Sequence, residues 1–257
     1  MSRLPRPKIT RPALVVTVTS SNPSERPVNE PSRHVLPLNS PAQESRAVLK
    51  TTEVLSRQGL SATVVSGCSQ SMPASALPRN CEWAPLLHDL EDNRGVRRQL
   101  DELRKHGGEL STLAVGRCPS KELIETAFQY GTRAIIVLKR SQDPERSIET
   151  LRFGFWSLSP TRVLCLERRL SRWLGGYGLT GWLRRLSSSA EVGHLWIQMQ
   201  PHPTAGTLRR LERIAGTISE VASKSGVPVL SLSELVARFE ARPRVRRACS
   251  VLRSRAA

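Results

Sequence analysis

The chain has 257 residues, 39% of them apolar and 4% aromatic, enough to build one large core or two small ones and too much for a chain disordered throughout. Lysine and arginine number 39 against 22 acids, a formal charge of +17; six are lysines, which leaves 33 arginines, the residue whose planar fork suits phosphates and stacked bases. Five scattered cysteines with no CxxC pair argue against a secreted disulfide framework, and no run of about 18 apolar residues offers a spanning helix, so a soluble intracellular protein with polyanionic partners is the expectation.

Residues 1–12 form a basic arm. Arginine without acid as far as Glu25 is compatible with a mitochondrial presequence, but Pro5, Pro7 and Pro12 oppose the helix such a peptide needs. Residues 13–80 read as a strand-helix-strand unit: β-branched 13–19, a Pro/Ser/Asn-rich loop from Ser20 to Pro41, a helix over 43–58 stopped by Gly59, a strand over 61–66, then a turn-rich linker. Residues 81–158 repeat the alternation in fuller form. Strand 82–87 precedes a helix over 94–106 with Val96, Leu100 and Leu103 on one face. Strand 110–115 follows, then a helix capped by Ser120 and closed by Gly131, a central strand 134–138, and an alternating edge strand over 150–155. In residues 159–241, Val163, Leu166, Leu170, Trp173 and Leu174 predict a helix that Gly175 and Gly176 end; a strand over 195–199, an amphipathic helix over 208–222, a strand over 227–232 and a last helix capped by Ser233 come after it. Such alternation predicts an α/β fold with a mostly parallel or mixed sheet flanked by helices. Whether the second α/β unit extends the first sheet or stands alone is open at this level. Residues 242–257 form a basic tail.

From Cys81 to Gly154, the helix ending LDELRKHGG, the helix SKELIETAFQYG and the strand RAIIVLKR resemble the anticodon-binding domain of class II aminoacyl-tRNA synthetases, including its stand-alone copy in nuclear receptor coactivator 5. Lys139 and Arg140 depart from the family, standing where it usually has a glycine and an acid. The stretch ALVVTVTSSNPSERP is weakly similar to the opening of Brix-domain ribosome-assembly factors. Both resemblances imply work on RNA, and nothing like the synthetase catalytic motifs occurs in the rest of the chain.

Two basic sets are the expected RNA-binding residues. Arg94, Arg97 and Arg98 lie on one helix, with Lys139 and Arg140 at a strand end; Arg168, Arg169, Arg172, Arg184 and Arg185 interleave with Trp173, Tyr177 and Trp182, an arrangement that neutralises phosphates and stacks on bases. The plain alternative is a solvated basic face over tryptophans that anchor packing, and a GC-rich genome would raise arginine by itself. A basic helix lying on an anionic membrane is a further reading. GYGLTG matches GxGxxG in form but lacks a strand before it and an acid about 20 residues after it, so dinucleotide binding is not expected. The histidines show no HExxH or ligand spacing, and no GxSxG elbow occurs, so neither a metal, a cofactor nor a catalytic residue is assigned. The expectation is a non-catalytic RNA-binding protein, nuclear by its Arg242–Arg255 run. A protein-interaction module such as a transcriptional coregulator is the alternative, and a nucleotide-dependent enzyme a weaker third. Oligomeric state leaves no trace in the sequence.

Overall fold

The computed structural model describes residues 12–19, 41–67, 76–87, 93–105, 110–139, 148–151, 154–166, 171–189, 191–200 and 203–241, with side chains from residue 45 in the first helix and from residue 178 in the fourth. Within them lie ten strands and six helices: β1 Ala13–Thr19, α1 Pro41–Arg57, β2 Ala62–Ser66, β3 Cys81–Leu87, α2 Asn93–Lys105, β4 Thr112–Val115, α3 Lys121–Gln129, β5 Ala134–Val137, β6 Ile148–Thr150, β7 Trp156–Leu158, β8 Arg162–Cys165, α4 Ser171–Ser187, β9 Val192–Gln198, α5 Ala205–Ser225, β10 Val229–Leu230 and α6 Leu232–Glu240. The fold is α/β, as the alternation predicts.

One sheet takes strands from every segment, in the order β6-β7-β5-β4-β3-β2-β1-β9-β8, with β10 beside the start of β1. Strands of the C-terminal unit therefore extend the first sheet. All pairings are parallel except β6 with β7. Only three residues separate β7 from β8, too few for a crossover between neighbouring parallel strands. The stretch from Trp156 to Cys165 instead runs on in one direction, bonded to β5 through its first half and to β9 through its second. The sheet thus curls until one extended segment joins its two sides. Its outer face packs under α1 to α5 around Leu14, Val64, Leu113, Ile135, Leu195 and Ile197, and its inner face collects Val15, Ala84, Ala114, Ile136, Leu158 and Trp196. Side chains alternate between the faces because the strand period is two.

The last helix closes the N-terminal end of this curl. β10 pairs with Leu14 and Val15 below the point where β2 takes over the same edge of β1 at Thr17, so α6 begins beneath the starts of β2 and β3. From there it crosses to β5 and β7, burying Leu232, Leu235 and Val236 and stacking Phe239 on Trp156 with ring centroids 4.7 Å apart. Each buried aliphatic side chain contributes about 1.5 to 3 kcal/mol. Its start is fixed by a capping box, the Ser231 hydroxyl accepting from the Glu234 amide while the Glu234 carboxylate accepts from the Ser231 amide at 2.7 Å.

Three expectations are corrected. The predicted helix through Val163 to Leu174 is strand β8 followed by a helix that begins at Ser171 and runs on through Gly175, Gly176, Gly178 and Gly181. Those glycines do not end it; a Cβ on Gly178 would lie 2.9 Å from Arg162 Nη2, so the missing side chain gives Arg162 room to lie along the helix. Of the 150–155 stretch, Thr150 ends β6 and the other described residues lie outside a strand: the Leu151 amide donates to the Phe155 carbonyl at 2.7 Å, and Gly154 takes φ 75°, a turn conformation that glycine reaches without a Cβ clash. The final helix is capped by Ser231 rather than Ser233, because Ser231 has the extended backbone of a cap and Glu234 in reach three residues on.

Candidate nucleic-acid interface

Parallel strands point one way, so the helices that follow β3, β4 and β8 start at the C-terminal end of the sheet and finish at the other. In open α/β sheets and α/β barrels the C-terminal end is where ligands are held. This divides the residues expected to bind RNA. Arg94 lies in the first turn of α2, Arg97 and Arg98 one turn further, and Lys139 just past β5; all four lie towards the C-terminal end of the sheet, and all four are exposed. Arg172 sits in the first turn of α4, at the same end, though its side chain, like those of Trp173 and Tyr177, lies outside the described residues. Arg140, Arg168 and Arg169 also lie outside the described residues. Arg184 and Arg185 are exposed in the last turn of α4, at the opposite end.

The helix ends distinguish the two groups energetically. A cation in a last turn complements the partial negative charge there, as Arg104, Lys105, Arg184 and Arg185 do. A cation in a first turn opposes the dipole. Yet α2 and α4 carry no acid in their first turns and place Arg94 and Arg172 there. Val96, Leu100 and Leu103 on the buried face of α2 hold its cationic face outward, and Asn93 Oδ1 accepts a hydrogen bond from Thr126 of α3, fixing the start of α2 against its neighbour. Arg117, exposed between β4 and α3, and Lys121, the exposed first residue of α3 whose ammonium lies 3.6 Å from Glu125, add to the same end. Sequence reasoning passed over both because they stand alone in the chain and join the others only through the parallel topology.

Trp182 is not presented as a free stacking platform. It is half-buried against the outer core, and Arg162 of β8 lies 5.8 Å from its ring centroid. Gly193 of β9 sits beneath it, where a Cβ would meet Leu186 at 2.6 Å and Trp182 at 3.1 Å. The GYGLTG stretch lies inside α4, not in the strand-to-helix turn that a dinucleotide site requires.

The inner face also carries polar groups that the sequence reading left unassigned. His194 of β9 is fully buried, its Nε2 sharing a 2.8 Å hydrogen bond with Thr17 Oγ1 while Nδ1 has no hydrogen-bond partner. Burial pushes the imidazole down to about 3, the nearby Ser159 backbone opposing this in part, so the ring is neutral. Trp196 donates to Thr19 Oγ1 at 3.0 Å on the same strand pair. Glu82 of β3 accepts from Thr63 Oγ1 at 2.6 Å and from the first amides of α6, Leu232 at 2.9 Å and Ser233 at 3.3 Å. Enclosure raises its carboxyl above the ordinary range, and the Ser233 side chain, followed by these hydrogen bonds, opposes the rise. A lone acid inside CEWAPLL and a lone histidine inside VGHLWIQ were the available signals. Among the described residues no helix is long and apolar enough to cross a membrane.

No family model matches the chain, and no curated protein matches its sequence. Solved structures do resemble it. A GH57-type branching enzyme from the hyperthermophilic archaeon Pyrococcus horikoshii superposes with a TM-score of 0.53 at 8% identity, covering 89% of this chain and 70% of that one. A truncated 3-deoxy-D-arabino-heptulosonate 7-phosphate synthase from Thermotoga maritima gives 0.35 at 12% identity, over 86% and 91%. Neither is an anticodon-binding or Brix domain. At such identity the first likeness concerns the fold alone, and the second carries no argument. What the chain shares with known proteins is a curled, mostly parallel sheet wrapped in helices.

Proposed function

We propose that the chain is a non-catalytic RNA-binding protein that grips phosphates at the C-terminal end of its curled sheet, through Arg94, Arg97, Arg98, Arg117, Lys121 and Lys139. The observation that carries this reading is the placement of cations at a helix start, where they oppose the helix dipole instead of complementing it. A phosphate reverses that penalty, since it pairs with the guanidinium and accepts from the amides of the helix start. The resemblance of 81–154 to anticodon-binding domains and a nuclear location belong to the same proposal.

Reversing charge in the triple variant Arg94→Glu, Arg97→Glu, Arg98→Glu tests it, because stability changes little while RNA affinity falls. Acid at position 94 gains about 0.3 to 1 kcal/mol from the helix dipole. Reversal at 97 and 98 sets like charges against Asp101 and Glu102 four residues on, at a cost of about 0.2 to 0.5 kcal/mol each, so the net change in stability is small. RNA affinity falls, and the slope of log K against log salt flattens by about 0.7 to 0.9 for each phosphate that the protein no longer neutralises. The control Arg184→Glu, Arg185→Glu keeps the slope. An unchanged slope in the folded triple variant would remove this surface from the proposal.

A further inference from the structure

Helix α5 carries a set of arginines outside the surface proposed for RNA. The helix follows β9 and so starts at the C-terminal end of the sheet, with no acid in its first turn. Leu211, Ala215 and Ile218 bury one face against the core. Arg209 and Arg213, four residues apart and therefore one above the other, are exposed on another face. Neither guanidinium has a hydrogen-bond or ion-pair partner among the described residues. Arg210 is turned inward instead: its Nη1 donates to the Leu166 carbonyl at 2.9 Å, which ties the residue after β8 to α5. Glu212 is the one acid from Ala205 to Ser219, and Glu220 beyond it is paired with Lys224, so the first half of α5 keeps a net positive charge.

Sheet order places this set relative to the first. Going round the curl, β2 and β1 stand between β3 and β9 on one side, and β4, β5 and the joined β7 and β8 stand between them on the other. The start of α2, after β3, and the start of α5, after β9, therefore lie on opposite sides of the C-terminal mouth of the curl. Helix α3 flanks α2, while α1 and α4 flank α5. Neighbouring strands about 4.8 Å apart close such a ring at roughly 13 Å across, and a helix about 10 Å thick on each side sets the two arginine faces roughly 30 Å apart.

We propose that one RNA stem lies across this mouth, held at one end by Arg94, Arg97 and Arg98 of α2 and at the other by Arg209 and Arg213 of α5. The inference rests on the RNA-binding reading above and adds the class of RNA to it. A duplex of at least about ten base pairs is required, the length that reaches roughly 30 Å at about 3 Å of rise each. Such a duplex keeps its phosphates at fixed separations over that distance and is recognised through shape and phosphate contacts, which exposed guanidinium groups on two sides of a mouth supply. Once one end is held, the other meets α5 at a high effective concentration, whereas a stem too short to reach gains nothing from the second set.

Fluorescence anisotropy of the full chain with labelled GC-rich RNA duplexes of about 7 and about 16 base pairs, across a salt series, tests the proposal. The double variant Arg209→Gln, Arg213→Gln changes two exposed side chains and leaves Arg210 on Leu166. On the longer duplex it is expected to flatten the slope of log K against log salt by about 1.8, or about 0.9 for each phosphate no longer neutralised. On the shorter duplex it should keep the parent's slope, which α2 and its neighbours then set. An unchanged slope on the longer duplex, where the α2 triple variant does flatten it, would overturn the spanning stem and leave the α2 surface in place. Equal flattening on both lengths would also overturn it, because α5 would then bind RNA without any reach across the mouth. If the parent binds neither duplex in a salt-dependent way, the RNA-binding reading falls and this inference falls with it.

Discussion

His194 makes the stability of this protein depend on pH in a calculable way. Its ring is fully enclosed and neutral, held at about 3 against an ordinary value of 6.5, whereas in the unfolded chain it takes a proton normally. A folded value below the unfolded one means that the unfolded state binds more protons between the two, so its stabilisation is fully present above 6.5 and is lost as pH falls towards 3. At about 1.4 kcal/mol per pH unit, lowering the pH from 7.5 to 4.5 crosses two units of that window and removes about 3 kcal/mol. The substitution His194→Asn keeps a polar group for Thr17 and removes the titration. Urea denaturation of both proteins at the two pH values isolates the effect: the parent should lose about 3 kcal/mol more than the variant on acidification. Equal losses in the two proteins would mean that His194 is hydrated or charged in the fold, and the enclosed inner face described above would be wrong.

Glu82 gives the opposite sign. Its carboxyl is raised, so its stabilisation is fully present below about 4.5, the ordinary value, and is lost as pH rises through the raised one. Glu82→Gln should therefore melt at least as high as the parent at pH 8, with the gap closing by pH 4; a variant less stable at pH 8 and equal at pH 4 would refute that cause. Gly193→Val drives a side chain into Leu186 and Trp182 and should cost about 1 to 3 kcal/mol in urea denaturation through forced repacking of α4. A variant as stable as the parent would show that α4 does not press on β9 there.

Several elements were legible from residues alone. The run 13–19 is uniformly apolar or β-branched because β1 lies in the middle of the sheet and is buried on both faces. Val96, Leu100 and Leu103 show helical spacing because one face of α2 meets the core, and Ser120 and Gly131 mark α3 because a hydroxyl cap and a positive φ are local needs. The region from Val163 to Gly181 was misread for an equally physical reason. Apolar residues of a short strand and of the following helix happen to fall at helical spacing, and the helix runs on through its glycines, of which Gly178 leaves room for Arg162.

Composition and periodicity by themselves determined the α/β class, most helix boundaries and the excess of cations, since each follows from interactions within a few residues or from a sum over the chain. Which cations stand together was decided only by the tertiary structure. Parallel pairing carries Arg94, Arg117 and Lys139, far apart in sequence, to one end of the sheet and sends Arg184 and Arg185 to the other. The same folding back sets Glu82 beneath the first turn of a helix 150 residues later and gives His194 its partner 177 residues earlier. No local pattern encodes such meetings, because they arise from the closing of the sheet upon itself.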